Sequence, residues 1–311
     1  MTDRIIEIPE PVRLRAEAAG ATGLAWLAGL GDLVAGLERD WGLTVGQTLH
    51  GGTGGYVAQA VTANDEPVVL KLGMPGEEVG GEIETLRLAQ GRGYVRLLRH
   101  DAARAAMLQE RLGSLLSSLD LSVDDQMAAI CRTLKTAWTP MAQGEGLMTG
   151  AEKARWLGAF IVETWEALDR PCSERAIAQG VVFAQSRQDA FDPALCVLVH
   201  GDAHSQNTLR VPGTDAFKFV DPDGLIAEPA CDLAVPMREW SAEMLSGDPL
   251  ALGLARCARL SALTGVEARA IWEWGVLERL STGLLATKLT YQPDGREMLA
   301  VADAWALGAP N

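Results

Sequence analysis

The sequence predicts an α+β chain in which a small antiparallel sheet precedes a larger, mostly helical lobe. Three observations predict it. Short β-branched runs crowd residues 43 to 111, nearly everything beyond Gly113 carries helical spacing, and only two strand-like runs, ALCVLV and AFKFVD, interrupt those helices. Length agrees, because 311 residues exceed one typical domain. The change of character puts a boundary at Arg111, giving an N-terminal lobe over 1–111 and a helical C-terminal lobe over 112–311.

The elements follow in order. ATGLAWLAGLGDLVAGLERDW has apolar residues at helical spacing and includes Asp32, which predicts an amphipathic helix over about residues 20–41 and argues against a membrane span. LTVGQTL, YVAQAVTA and PVVLKLGM, broken by HGGTGG and ANDE, read as a three-stranded meander with tight turns. GEEVGGEIETLRLAQG returns to helical spacing through Val79, Ile83, Leu86 and Leu88. YVRLLRHD and AARAAMLQERL read as two more strands, the first ending in a turn at Arg99 to Ala102.

In the second lobe, SVDDQMAAICRTLKTAW opens on a Ser122 cap followed by acidic residues, which suit a helix N-terminus. TGAEKARWLGAFIVETWEAL places Trp156, Phe160 and Trp165 at helical spacing, and the segment from Asp248 supplies further helices with Trp272 and Trp274 as core aromatics.

Composition narrows the function. A hydrophobic content of 48% and a mean hydropathy of +0.07 describe a chain with ample core. The net charge of −14 argues against a nucleic-acid partner, since phosphate contacts need a Lys/Arg surface. Most of that charge lies beyond Arg111, which suits either a cationic small-molecule substrate or a solvated acidic surface. The five cysteines are scattered, with no C-x-x-C spacing, and read as buried thiols of a reducing compartment. The N-terminus is charged from its start, so the expectation is a cytoplasmic protein with no membrane partner. Oligomeric state has no sequence signal.

The chemistry gathers in LVHGDAHSQNTL and FKFVDPDG. His200, Asp202 and His204 could ligate a metal from one face of a strand, but the other imidazoles, His50 and His100, sit far upstream in the small lobe. The cluster could also be capping aspartates and turn-forming asparagines with no chemistry. The third reading is phosphoryl transfer. Kinases carry H-x-D-x-x-x-x-N and then an aspartate at the end of the following strand. His200, Asp202 and Asn207 keep that spacing, and Asp221 follows Asn207 across the turn VPGTDAF. A carboxylate is needed to orient and deprotonate the attacking hydroxyl, which fits Asp202. Oxygen ligands are needed for Mg²⁺ on the nucleotide phosphates, which fits Asn207 and Asp221.

That reading makes demands upstream. A glycine-rich hairpin should cover phosphates, and Gly51, Gly52, Thr53, Gly54 and Gly55 lie between the first two strands without the G-K-[ST] of a Walker loop. A strand lysine should follow, and Lys71 stands inside VVLKL. A helix glutamate should pair with it, Glu82 first and Glu78 second.

In this order, GGTGGYV, VVLKL, MLQERL, VHGDAHSQN and FVDPDGLIAEPACDLA resemble the aminoglycoside phosphotransferases, and most of all the streptomycin and hydroxyurea resistance kinase branch. The resemblance runs over nearly the whole chain from about Gly20. It implies a protein-kinase-like bilobal fold and phosphorylation of a small-molecule hydroxyl with ATP, or GTP, and Mg²⁺. It also implies residue roles. Asp202 would be the base, Asn207 and Asp221 the metal ligands, and Lys71 a contact to the α- and β-phosphates. Gln109, Glu110 and Arg111 would form the inter-lobe hinge that binds adenine, with Met107 near the gatekeeper position. Asp232 would hold the catalytic-loop backbone, and His200 would brace it.

Asp223 departs from the branch, where a neutral or basic residue is frequent; its carboxylate would add a metal contact or face the acceptor. Asp223, Glu228, Glu239 and Glu243, beside Asp202, are the candidate acids of a substrate site, each with a cap or a solvated residue as the alternative. A housekeeping kinase for choline, homoserine or a sugar shares every feature above. A nucleotide-binding pseudokinase is the reading from outside enzymology, and the intact Asp202, Asn207, Asp221 and Lys71 argue against it.

Overall fold

The computed structural model describes residues 6–52, 54–74, 79–144 and 146–310, and the chain forms two compact units, Met1–Gly113 and Ser114–Asn311. In the first, helices α1 (Glu10–Ala18) and α2 (Gly20–Trp41) lead into strands β1 (Leu43–Thr48), β2 (Gly55–Thr62) and β3 (Pro67–Gly73), helix α3 (Val79–Ala89), and strands β4 (Leu97–Asp101) and β5 (Ala106–Glu110). The sheet is antiparallel in the order β1-β2-β3-β5-β4.

Alternation places Tyr56, Ala58 and Ala60 of β2 and Val68, Leu70 and Leu72 of β3 on one buried face. Trp26, Leu30, Val34 and Leu37, one stripe of α2, close that core. Helix α2 is long and apolar enough by composition to cross a membrane, but its apolar stripe is used inside this unit. The sequence reading needs two corrections here. It gave no helix at α1, and the chain does not turn at Arg99: β4 continues to Asp101, whose side chain accepts from Arg104 N (3.1 Å) and caps a short 3₁₀ turn.

The second unit holds helices α4 (Val123–Ala137), α5 (Gly150–Ala167), α6 (Glu174–Asp189), α7 (Ala230–Arg238), α8 (Ser241–Met244), α9 (Pro249–Thr264), α10 (Ala268–Lys288) and α11 (Asp294–Trp305). Ser122 caps α4 through Asp125 N, and Thr149 with Glu152 forms a capping box on α5. Helix α10 is apolar or buried around most of its circumference, with Trp272, Trp274, Leu277, Leu280 and Leu284 almost solvent-free, because α5, α6, α7, α9 and α11 pack around it. Trp165 is buried as well, but Trp156 is not core: it is 54% exposed and stacks on Phe160 at 5.3 Å.

Five short strands thread these helices: β6 (Met148–Thr149), β7 (Val197–Val199), β8 (Thr208–Arg210), β9 (Phe217–Phe219) and β10 (Leu225–Ala227). The sequence shows only β7 and β9, which lie inside the six-residue runs ALCVLV and AFKFVD; β6, β8 and β10 are not picked out by such a run. They form a three-stranded sheet, β6-β10-β7, and the hairpin β8-β9. The hairpin pairs Thr208 with Phe219, and Asn207 O accepts from Val220 N (2.9 Å) at its open end, so Asp221 follows directly on the residue opposite Asn207.

Candidate active site

Within the small unit the candidate residues form one charged pair and one turn. Lys71 sits mid-sheet, opposite Val57 on β2 and Met107 on β5. A buried ammonium there would be costly without a partner. Its Nζ lies 2.7 Å from Glu82 Oε2 on α3, with both side chains nearly buried. Glu78 and Thr53 lie outside the described residues.

The turn between β1 and β2 places Gly51 at φ +115°. At Gly55 a Cβ would stand 2.3 Å from Leu72 O, so only glycine lets β2 approach β3 there. Met107 and Gln109 of β5 are buried, and Glu110 accepts from Arg96 N at 2.7 Å.

In the large unit, β7 ends at Val199 and the chain turns through Gly201 at φ +88° into the loop carrying Asp202. That turn is held from below by Asp232, which is wholly buried near the start of α7. Its Oδ1 accepts from Gly201 N (2.9 Å), and its Oδ2 accepts from His200 N (3.1 Å) and Trp138 Nε1 (2.9 Å). Burial pushes the Asp232 pKa up, opposed by His200 and these hydrogen bonds.

His200 is also fully buried. Its Nε2 donates to Val220 O (2.9 Å) and its Nδ1 accepts from Asp202 N (3.1 Å), which fixes the tautomer. Burial lowers its pKa and keeps the ring neutral. His200 thus braces the loop and has no acid–base function to perform. From the other side Asn207 Nδ2 donates to the backbone oxygen of Asp202 (3.1 Å), and Asn207 O accepts from Val220 N (2.9 Å). Asp221, beside Val220, adopts a left-handed φ of +57°.

Asp202 stands at the mouth of this scaffold with its carboxylate about a third exposed. Arg238 Nη2 donates to Oδ1 at 2.5 Å, and His204 Nε2 lies 3.3 Å from Oδ2. Burial would raise the Asp202 pKa; the hydrogen bond from His204 and the charge of Arg238 overcome it and hold the carboxyl well below the usual carboxylate range. Asp223 abuts Gly201, and burial lifts its pKa to about 6, with Lys153 and Arg238 pulling down and Asp202 and Glu278 pushing up. Lys153, Arg238 and Glu278 belong to α5, α7 and α10, so Asp223 lies between the Asp202 loop and the helices of the large unit.

The other candidate acids divide. Glu239 accepts weakly from Arg238 Nε (3.4 Å) and belongs to the same cluster. Glu228 does not. Ala227 of β10 pairs with Val197 while Leu225 pairs with Val199, so Glu228 leaves the strand at the end remote from the catalytic loop. There it accepts from Trp274 Nε1 (2.9 Å) and Arg187 Nη1 (3.2 Å) and lines a separate pocket of about 320 Å³. Glu243 is taken by Arg256 at 3.0 Å.

A model of the aminoglycoside/hydroxyurea antibiotic resistance kinases matches residues 40–277, which span both the Lys71–Glu82 pair and the Asp202 loop. The chain belongs to that family. It is a small-molecule phosphotransferase with a protein-kinase-like fold. Among similar members of this resistance-kinase family, the streptomycin 6-kinase of Streptomyces glaucescens is 28% identical over 281 residues, covering 89% of this chain and 90% of that one. The hydroxyurea phosphotransferase of Kitasatospora aureofaciens is 31% identical over 282 residues, covering 86% and 81%. Among solved structures, choline kinase LicA of Streptococcus pneumoniae shares the fold with a TM-score of 0.59 at 16% identity, covering 89% of this chain and 99% of that one.

Sequence reasoning missed four residues of this kinase's site: Lys153, His204 as a contact of Asp202, Arg238 and Glu278. The signal for two of them was present. Lys153 falls on the same stripe of α5 as Ala154, Leu157 and Ile161, and Glu278 falls among the apolar residues of α10. A charge on a buried stripe needs a partner, and these two are each other's at 2.7 Å.

Proposed function

We propose that this chain transfers the γ-phosphoryl group of ATP to a hydroxyl of a small-molecule antibiotic, with an aminoglycoside such as streptomycin as the first candidate. The observation that carries the reading is Asp202. It is a carboxylate held by an arginine and a histidine, on a loop braced from below by buried Asp232 and bonded from the other side by Asn207.

In this reading the acceptor hydroxyl gives its proton to Asp202 as its oxygen bonds to phosphorus, and the bond from phosphorus to the leaving ADP oxygen breaks. The depressed pKa keeps Asp202 ionised and ready across the neutral range. Lys71, fixed by Glu82, would hold the α- and β-phosphates, and the backbone of Gln109 to Arg111 would bind adenine.

Asn207 and Asp221 would hold Mg²⁺. The donor set fits: Asn207 spends its Nδ2 on Asp202 O, so its amide oxygen, an acceptor, is the atom that would ligate the ion. Among the described residues no group of three or more His, Cys, Asp or Glu could cage a metal. Mg²⁺ binds through one or two protein oxygens plus phosphates and water, which the Asn207 amide and the Asp221 carboxylate would supply on the protein's side. When bound, the ion neutralises charge on the transferring phosphoryl group.

The test is nucleotide turnover in the presence of streptomycin, other aminoglycosides, hydroxyurea and tuberactinomycins. Stimulation by one of them, abolished in Asp202→Asn with nucleotide binding kept, is the expected result. Turnover with choline or a sugar and none of these antibiotics would overturn the resistance reading.

A further inference from the structure

Four charged side chains of the large unit form an unbroken chain that ends on Asp202. Lys153 Nζ of α5 meets Glu278 Oε1 of α10 at 2.7 Å; Glu278 Oε2 accepts from Arg238 Nη1 at 3.2 Å; Arg238 Nη2 donates to Asp202 Oδ1. Lys153 and Glu278 are almost fully buried, and the path from them to Asp202 runs through Arg238. Such a pair is a poor device for stability, because desolvation consumes most of the Coulomb gain. Its position suggests another role.

Arg238 is where the chain acts. A guanidinium is a planar fork that fits both oxygens of a carboxylate at once. Seated that way on Asp202 it would occupy both oxygens and leave no lone pair well placed for a hydroxyl proton. It is not seated that way, because Glu278 takes Nη1 and Glu239 lies 3.4 Å from Nε, so only Nη2 reaches Asp202, and only at Oδ1.

Lys153 bounds the pull from the other side: by holding the second oxygen of Glu278, it stops that carboxylate from drawing Arg238 away altogether. Oδ2 of Asp202 is left facing His204, whose Nδ1 accepts from Gln206 N (3.2 Å), so the nitrogen near Asp202 carries the proton. That ring donates to one lone pair of Oδ2 and leaves the other for the acceptor hydroxyl, whereas a bidentate guanidinium would add a second donor to that oxygen.

We propose that Lys153 and Glu278 are positioning residues for phosphoryl transfer, acting through Arg238 to hold the Asp202 carboxylate with Oδ2 turned to the acceptor hydroxyl. The inference rests on the reading of Asp202 as the base.

The test compares Glu278→Gln, which keeps shape and removes charge, with Lys153→Met and the conservative Lys153→Arg. Both the best acceptor from the screen and slow ATP hydrolysis, with water as acceptor, are followed. For Glu278→Gln and Lys153→Met, kcat is expected to fall about 10- to 100-fold, with KM for nucleotide and acceptor changed less than about threefold. Lys153→Arg restores kcat to within about threefold of the parent, and the double variant is no slower than the slower single, since both act by one route.

Variants that melt earlier but keep kcat would make the pair purely structural and overturn the proposal. So would a rise in acceptor KM at constant kcat, or losses that multiply in the double variant. Should Lys153→Met fail to fold, Glu278→Gln decides alone. A protein that phosphorylates nothing in the screen, yet loses ATP hydrolysis in Glu278→Gln, would count against the antibiotic reading and for the chain. Hydrolysis surviving in Asp202→Asn would sink both.

Discussion

Replacing Asp232 by asparagine asks how much of the catalytic loop hangs on one buried carboxylate. Asp232 is fully buried and its two oxygens take three donors: Gly201 N on one, His200 N and Trp138 Nε1 on the other. An asparagine keeps the shape but has one acceptor oxygen. Its best orientation keeps the oxygen on the two-donor side and turns the NH₂ toward Gly201 N–H. One hydrogen bond to a charged acceptor is then lost, about 1.5–3 kcal/mol, and a buried N–H is left unpaired, about 1–3 kcal/mol. Against this, burial disfavours the charge that asparagine removes, as the raised pKa shows. The net expectation is about 2–4 kcal/mol. A unit of roughly 200 residues loses about 2–4 °C of Tm per kcal/mol, so Asp232→Asn should melt about 5–15 °C earlier. Because Gly201 precedes Asp202, kcat should fall at least about tenfold even where the protein is folded. Thermal unfolding by calorimetry and steady-state kinetics well below Tm read the two effects. A variant that melts within a degree or two of the parent with unchanged kcat would refute the claim that Asp232 holds the loop.

Gly201→Ala meets two obstacles: a φ of +88°, and a Cβ that would fall 2.6 Å from Leu225 Cδ1 and 2.9 Å from Asp223 Cβ. It should cost at least about 2 kcal/mol, read in urea unfolding, and lower kcat as well. Arg238→Met should move the acid limb of kcat/KM to higher pH. Asp202 has a depressed pKa in the folded protein, so its contribution to stability is present above the unfolded value near 4 and lost as pH falls. Removing Arg238 shrinks that contribution, so parent and variant should differ most in Tm near neutrality and converge in acid. An acid limb that stays in place would show that Arg238 does not tune the base. The five cysteines are buried and unpaired, and burial raises the thiols of Cys131, Cys172, Cys231 and Cys257 to about 12. A thiol-titrating dye at pH 8 should find almost none in the native protein and all five after denaturation.

What the sequence disclosed depended on scale. Elements with several periods were legible: α2 from its repeating apolar stripe, the β1–β3 meander from alternation and turn residues, α4 from its Ser122 cap. The three-residue strands β8 and β10 were not: β8 is too short to show alternation, and β10 is paired by β6 and β7, far back along the chain. For the candidate site, spacing singled out Asp202, Asn207 and Asp221, and the structure puts them on one loop and at the open end of the hairpin that follows it. Glu228 was placed wrongly. It is close in sequence to Asp223, yet a strand of three residues, about 10 Å long, carries it to the other end of the sheet. Arg238 escaped notice because an arginine at a helix C-terminus reads as an ordinary dipole partner.

The buried charges around α7 become intelligible once the loop is taken as their common purpose. Arg256 and Arg279 are buried without acting on a carboxylate of the site. Instead Arg279 donates to Met237 O (2.6 Å) and Arg256 to Glu239 O (2.6 Å) and Pro236 O (3.3 Å), satisfying the carbonyls that α7 leaves open at its end. Burial lowers the pKa of both, so their charge is held at a cost. What they fix is the turn that begins at Arg238 and passes through Trp240, whose φ of +55° is itself unfavourable for a tryptophan. The same helix starts with Asp232 under the loop and ends with Arg238 on Asp202. One nine-residue helix therefore grips the catalytic loop at both ends, and Arg256 and Arg279 prevent its far end from sliding. A base that must present one oxygen to a hydroxyl tolerates little displacement. Apolar replacements at these positions would pack as well and leave the loop free to move, which is why charges occupy them.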